Sequence, residues 1–165
     1  QVADERVTIR LQAHDGRVKS ESNYTGDGYL AENVAVIESG VLNCHLLGLY
    51  AALKTGRPVC KSGNVLVIEP GDKSLDELIA GVSRGLLVGG FSGGQPGTNG
   101  EFSGVAKNSF LIEDGRITGA VTETMINGNL GDVFKKAFSV SKDVQCNGST
   151  ILPYMAAEGV VISGK

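Results

Sequence analysis

"NSFLIEDGRITGAVTETM", residues 108–125, decides the fold class. Two strand-like runs flank Asp114-Gly115, a pair that tolerates the positive φ angles a two-residue hairpin turn needs. The arrangement recurs twice: "RVTIRLQAH" meets "RVKSES" through Asp15-Gly16, and "VAVIE" meets "VLNCHLLG" through Ser39-Gly40. Three such turns predict a chain rich in antiparallel strand. Ile37-Glu38-Ser39-Gly40 and Ile112-Glu113-Asp114-Gly115 also share a pattern, which fits either a weak internal duplication or turn chemistry alone.

Two helices interrupt the strands. In "SLDELIAGVSRG", residues 74–85, Ser74 and Glu77 have capping-box spacing, Leu75, Leu78, Ile79 and Val82 share one face, and Gly85 is a natural stop. In "NLGDVFKKAF", residues 129–138, Asn129 can cap, Asp132 suits the positive helix start, and Lys135 and Lys136 suit its negative end. The run "AALKTGR" reads as the end of a third short helix or as an irregular turn. "NVLVIEPG" at 64–71 reads as a buried strand ended by Pro70-Gly71, and the C-terminal stretch as two short strands broken at Pro153 and Gly159. Most connections are too short for parallel crossovers. The predicted class is therefore α+β: a largely antiparallel mixed sheet, hairpin-rich and compatible with a barrel-like closure, with two or three short helices.

Length and composition bound the rest. The 165 residues are 41% hydrophobic and 20% charged, as expected of one globular domain spanning 1–165. A net charge of −3, with Lys135-Lys136 the only adjacent basic pair, argues against direct nucleic-acid binding. No apolar run is long enough for a membrane helix and no signal layout opens the chain, so a cytoplasmic protein is expected. Cys44, Cys60 and Cys146 are odd in number and widely spaced, which reads as reduced, buried thiols. A chain that opens at Gln1 and runs straight into a strand reads as a fragment of something longer.

The unusual stretch is "FSGGQPGTNGEFSGVA", residues 91–106, where Gly90-Phe91-Ser92-Gly93-Gly94 fits Gly-x-Ser-x-Gly. A nucleophile elbow needs a following helix and a downstream His, but His14 and His45 both lie upstream of Ser92. Phosphate-loop patterns are absent, and two histidines without a metal-binding helix make no zinc site. Cys44 and His45, adjacent in a predicted strand, should point to opposite faces. The glycine loop is then either a flexible hairpin tip or a bare surface where a peptide backbone can lie close and add to a strand edge.

From about residue 37 onward the order of segments resembles the C-terminal region of the TldD/PmbA family, described as modulators of DNA gyrase and as metallopeptidases that mature peptides. The resemblance rests on "IESGVLNCHLLGLYAALKTGR", on "SLDELIAGVSRGLLVGGFSGGQPGTNGEFSGVAKNSFLIEDGRI", and on "ETMINGNLGDVFKKAFSVSKDV". It implies a C-terminal domain of a zinc metallopeptidase system that binds peptides and matures or degrades them. The family's H-E-x-x-x-H zinc helix is not in this sequence. Either the fragment lacks it, or the parent is of the PmbA-like branch, a catalytically silent scaffold and peptide-binding partner of a TldD-like subunit. On this reading the chain alone carries no catalytic residue and no peptidase activity, and zinc sits in the full-length parent or its partner. Gly94, Gly100, Phe102 and Ser103 match the family's loop and would bind substrate. Cys146 lies near the family's metal-ligating cysteine and is either that ligand or an incidental thiol. A homodimer, or a heterodimer with a TldD-like subunit, is implied.

Overall fold

In a computed structural model describing residues 1–164, the chain runs β1 (Ile9–Gln12), β2 (Val34–Glu38), β3 (Val41–Leu42), α1 (Leu49–Thr55), β4 (Val65–Ile68), α2 (Leu75–Ala80) and β5 (Arg84–Leu87). It continues through β6 (Gly90–Gly93), β7 (Glu101–Lys107), β8 (Ser109–Glu113), β9 (Arg116–Val121), β10 (Met125–Asn129), α3 (Leu130–Lys135), β11 (Ala137–Asn147), β12 (Thr150–Ala157) and β13 (Val161–Ser163). The strands form three open sheets, ordered β11-β12-β4-β1-β2-β3, β13-β10-β7-β6 and β5-β8-β9. Every pairing between named strands is antiparallel except β12 with β4. The α+β class and the mixed, mainly antiparallel sheet are as expected, without closure into a barrel.

Two of the three predicted hairpins form. Ser39 (φ 46°) with Gly40 (φ 76°), and Asp114 (φ 48°) with Gly115 (φ 74°), place both turn residues in the left-handed region and join β2 to β3 and β8 to β9. The third does not. Both edges of β1 are already occupied, by β2 and β4, so no returning strand can pair there. Asp15 instead closes a local turn: its carboxylate accepts from the Arg17 backbone N–H at 3.0 Å and from the guanidinium at 2.9 and 2.6 Å. That turn delivers Val18 to the core beside Val65, Val67 and Ile151, with Val144 against them. A fourth hairpin, between β11 and β12, turns at Gly148-Ser149, with Gly148 at φ 57°. This Gly-Ser pair is a turn signal that the reading of three hairpins passes over.

Pro153 does not break its strand. β11 bulges between Val140 and Val144, and Val144 faces Pro153 across the ladder. Fully buried Ser141 sits in that bulge, where its hydroxyl donates to the Asp143 carbonyl (2.7 Å) and accepts from the Tyr154 backbone N–H (2.8 Å). The Asp143 carboxylate then accepts from the Leu75 N–H at 2.8 Å, which ties the start of α2 to the bulge.

The capping box of α2 is present, with Ser74 accepting from Glu77 N–H and Glu77 reaching back to Ser74 N–H. Hydrogen bonds from Ser74 hold the Glu77 carboxyl below its ordinary range. The helix stops at Gly81, not Gly85, because the β8–β9 turn takes over its exit. Asp114 and Gly115 N–H groups donate to the Ser83 and Val82 carbonyls at 2.8 and 2.9 Å, and Arg84–Leu87 pair with β8 as a strand. Asn129 caps α3 by accepting from Gly131 N–H, and Gly56, at φ 66°, ends α1. Of the predicted α3 stripe, Phe134 and Ala137 pack into a second core cluster with Ala3 and Val7, whereas Leu130 stays at the surface.

The Asp15 turn has a pH signature. Its hydrogen bonds to Arg17, the largest cause, lower the Asp15 carboxyl to about 2. Because the folded value is depressed, the stabilisation is complete above the unfolded value of about 4 and disappears as pH falls through about 2. Acid titration of unfolding should show this loss between about pH 4 and 2. In Asp15→Asn that limb should be shallower, with lower stability at neutral pH; an unchanged limb would show that the turn does not contribute.

Candidate functional site

The glycine-rich segment is an ordered hairpin loop. β6 and β7 pair from Gly90↔Lys107 to Gly93↔Gly104, leaving 94–100 as the connection. Gly97 N–H donates to the Glu101 carbonyl (2.9 Å), Gly100 N–H to the Gly97 carbonyl (2.8 Å), and Glu101 N–H to the Asn99 side chain (3.2 Å). Asn129 ties this loop to the next element. Its side-chain oxygen caps α3, while its NH₂ donates to the Asn99 carbonyl at 2.8 Å, and Leu130 N–H donates to the Gly100 carbonyl at 2.9 Å. Gly100 itself holds φ +84°, a conformation open to glycine, and an added Cβ would lie 3.2 Å from Asn129 Oδ1.

Between loop and sheet lies an open groove of about 480 Å³, bordered by Gly94, Gln95, Phe102, Ser103, Asn127 and Val161. Three of the four predicted substrate-binding residues, Gly94, Phe102 and Ser103, thus meet in one depression. Gly100 stands behind them and fixes the loop against α3. Ser103 donates to Asn127 Oδ1 across the β7–β10 pair. The Phe102 ring meets Phe91 edge to face, with centroids 5.9 Å apart and planes at 81°. The Phe91 ring in turn lies against the bare backbone of Gly93 and Gly104, where an added Cβ would come within 2.5 Å of the ring at either position. Asn127 and Asn129 are among the groove residues that the sequence reading missed as site residues. Asn129 was visible there only as a helix cap.

The Gly-x-Ser-x-Gly match at 90–94 does not form a strand-to-helix elbow. Ser92 lies within β6 opposite Val105, and the chain turns back into β7 instead of entering a helix. His14 pairs with Glu21 at 3.2 Å, and His45 accepts from Arg57, so each imidazole is engaged elsewhere. Cys44 and His45 do not lie in a strand: β3 ends at Leu42, and residues 43–48 run irregularly into α1. Cys44 instead faces Cys60.

Cys146 is exposed near the end of β11, opposite Ile151 and close to the Gly148-Ser149 turn. Arg17, anchored by Asp15, lies near Cys146. Among the described residues no group of three or more His, Cys, Asp or Glu is placed to hold a metal. Cys146 could therefore offer zinc one thiolate, and the remaining donors would have to come from outside this set. No helix among the described residues is long and apolar enough to cross a membrane.

Open, mainly antiparallel sheets with three short helices and a glycine-loop groove define a β-rich α+β fold. Residues 1–164 match the PmbA/TldA metallopeptidase C-terminal domain, and the chain belongs to that family. A metalloprotease of Methanothermobacter thermautotrophicus is 31% identical over 158 residues, covering 86% of this chain and 34% of that protein. Metalloprotease PmbA of Escherichia coli O157:H7 is 28% identical, covering 96% and 37%. Among crystal structures, a candidate modulator of DNA gyrase from Bacteroides thetaiotaomicron superposes with a TM-score of 0.87 at 34% identity, over 99% of this chain and 38% of its own. TldE of Thermococcus kodakarensis gives 0.83 at 26% identity, over 99% and 41%. The chain thus spans just over a third of the length of the curated relatives it matches.

The glycines of the groove should separate into two kinds. Gly104→Ala would set a Cβ 2.5 Å from the Phe91 ring and 2.7 Å from Gly93 Cα, and should destabilise by about 1–3 kcal/mol through overpacking. Gly94→Ala meets nothing within 4 Å and should stay within about 0.5 kcal/mol of the parent. Denaturant unfolding of the two variants measures this difference, and equal effects would refute the packing assigned to Phe91.

Proposed function

We propose that this chain is the C-terminal lobe of a TldD/PmbA-type zinc metallopeptidase system that binds peptides and matures or degrades them. The carrying observation is the groove beside the 94–100 loop, where bare backbone at Gly94 and Gly128 adjoins the hydrogen-bonding side chains of Ser103 and Asn127 and the ring of Phe102. Such a surface suits an extended main chain: it offers close approach and polar partners while selecting little for side chains. In this role Gly94 keeps the path open, Gly100 holds the loop shape, Phe102 supplies an apolar contact, and Ser103 orients the bound chain. Zinc, when bound, would polarise the scissile carbonyl and activate water. Cys146 is the residue here that would reach toward it.

The surface supports an assembled state. Tyr50 and Leu53 on α1, and Val161 on β13, are among the large apolar side chains left in solvent. A homodimer, or a heterodimer with a TldD-like subunit, would cover such area. The second reading is a catalytically silent partner that binds peptide and completes a TldD-like subunit. The likeness to TldE favours it.

The full-length protein should bind a fluorescent unstructured peptide, and Phe102→Ala should weaken that binding about tenfold while lowering the melting temperature through loss of the Phe91 contact. Unchanged affinity in a folded Phe102→Ala protein would remove the groove from the proposal. Zinc analysis separates the two readings: metal-dependent cleavage by the protein alone marks the peptidase, and cleavage only after addition of a TldD-like subunit marks the partner.

A further inference from the structure

We propose that Cys44 and Cys60 form a reversible disulfide site, closed by exchange with a low-molecular-weight disulfide such as oxidised glutathione, that clasps the segment carrying α1. The two sulfurs lie 3.0 Å apart as free thiols, although 16 positions separate them in the chain. Both are half-buried, and the backbone on each side is already anchored. Cys44 N–H donates to the Val36 carbonyl at 3.4 Å and Cys60 N–H to the Leu47 carbonyl at 2.8 Å. The thiols are therefore held together by the fold, with the 45–59 excursion looping out between them. This inference is independent of the peptide-binding reading.

The pair is asymmetric. Cys60 lines an open depression of about 370 Å³ together with Tyr24, Asp27, Leu46 and Gly48, so it is the sulfur that an incoming small disulfide meets. Cys44 donates its S–H toward Cys60, and burial, with the neighbouring sulfur, pushes its thiol up to about 11. The Cys60 thiolate attacks one glutathione sulfur, forming a mixed disulfide and releasing one glutathione thiolate. Cys44 then loses its proton to solvent and attacks the Cys60 sulfur, forming the Cys44–Cys60 bond and releasing the second glutathione. The protein gives up two electrons and two protons, and the glutathione disulfide is reduced by two electrons. Closure fixes both ends of a segment whose helix presents Tyr50 and Leu53, 75% and 76% exposed, so the oxidation state would bear on whatever α1 contacts.

The test is to incubate the full-length protein with oxidised glutathione, alkylate free thiols without unfolding, and map tryptic fragments. Fragments 20–54 and 55–61 should be found joined through Cys44 and Cys60 and be released by reductant. Cys44→Ser should trap glutathione on Cys60, whereas Cys60→Ser should leave Cys44 largely unmodified. If Cys44 and Cys60 of the unmutated protein both remain alkylatable, or if Cys146 alone takes up glutathione, the proposal fails. Because the cross-link is read on the unmutated protein, a variant that folds poorly does not blunt the test.

Discussion

The fold depends on one short parallel contact. Thr150 and Ile151 of β12 pair with Leu66 and Val67 of β4, and this joins the C-terminal hairpin to strands from the first half of the chain. Ile151 is fully buried there among Val18, Val65 and Val67, so two backbone pairings are reinforced by apolar contact on one face. The same hairpin carries the Ser141 bulge that seats α2 through Asp143. α2 in turn ends against Gly115, whose added Cβ would lie 2.8 Å from the Ala80 carbonyl oxygen, so the β8–β9 hairpin is registered on that helix. Ile151, Ser141, Asp143 and Gly115 thus form one chain of constraint from the large sheet to the small one.

How far this was readable from the sequence follows from the range of each interaction. Ser74 with Glu77, Asn129 with Gly131, and the two formed hairpin turns are satisfied within a few residues, and all of them were legible. Features decided by distant partners were not. Asp15-Gly16 has the composition of a hairpin turn, but β2 and β4 occupy the edges its return strand would need. Pro153 looks like a strand breaker until a buried serine 12 residues earlier supplies a partner for the next N–H. Cys44 and Cys60 looked like unrelated thiols because only the fold brings position 44 to position 60.

The groove shows the same division. Gly94, Gly100, Phe102 and Ser103 came from the resemblance of the loop to that of the TldD/PmbA family, and three of the four line one depression. Asn127 was invisible as a site residue, because its role depends on the register that sets it opposite Ser103. Asn129 was half visible: capping accounts for its oxygen but not for its NH₂, which holds the Asn99 carbonyl. One amide therefore couples the start of α3 to the shape of the loop, and the loop keeps its order despite five glycines in the twelve residues from Gly93 to Gly104.

Both core clusters consist mainly of Val, Ala and Ile, and large apolar side chains such as Tyr50, Leu53 and Val161 remain exposed. The open sheets fit that picture: β6 and β13 bound the groove sheet at its two edges, and both keep unpaired backbone available. A closed barrel would have satisfied those edges internally and left no main-chain surface for a peptide or partner. The failure of the sheet to close is therefore what makes a groove of this kind possible, and the glycines of 93–104 keep that edge low enough to be reached.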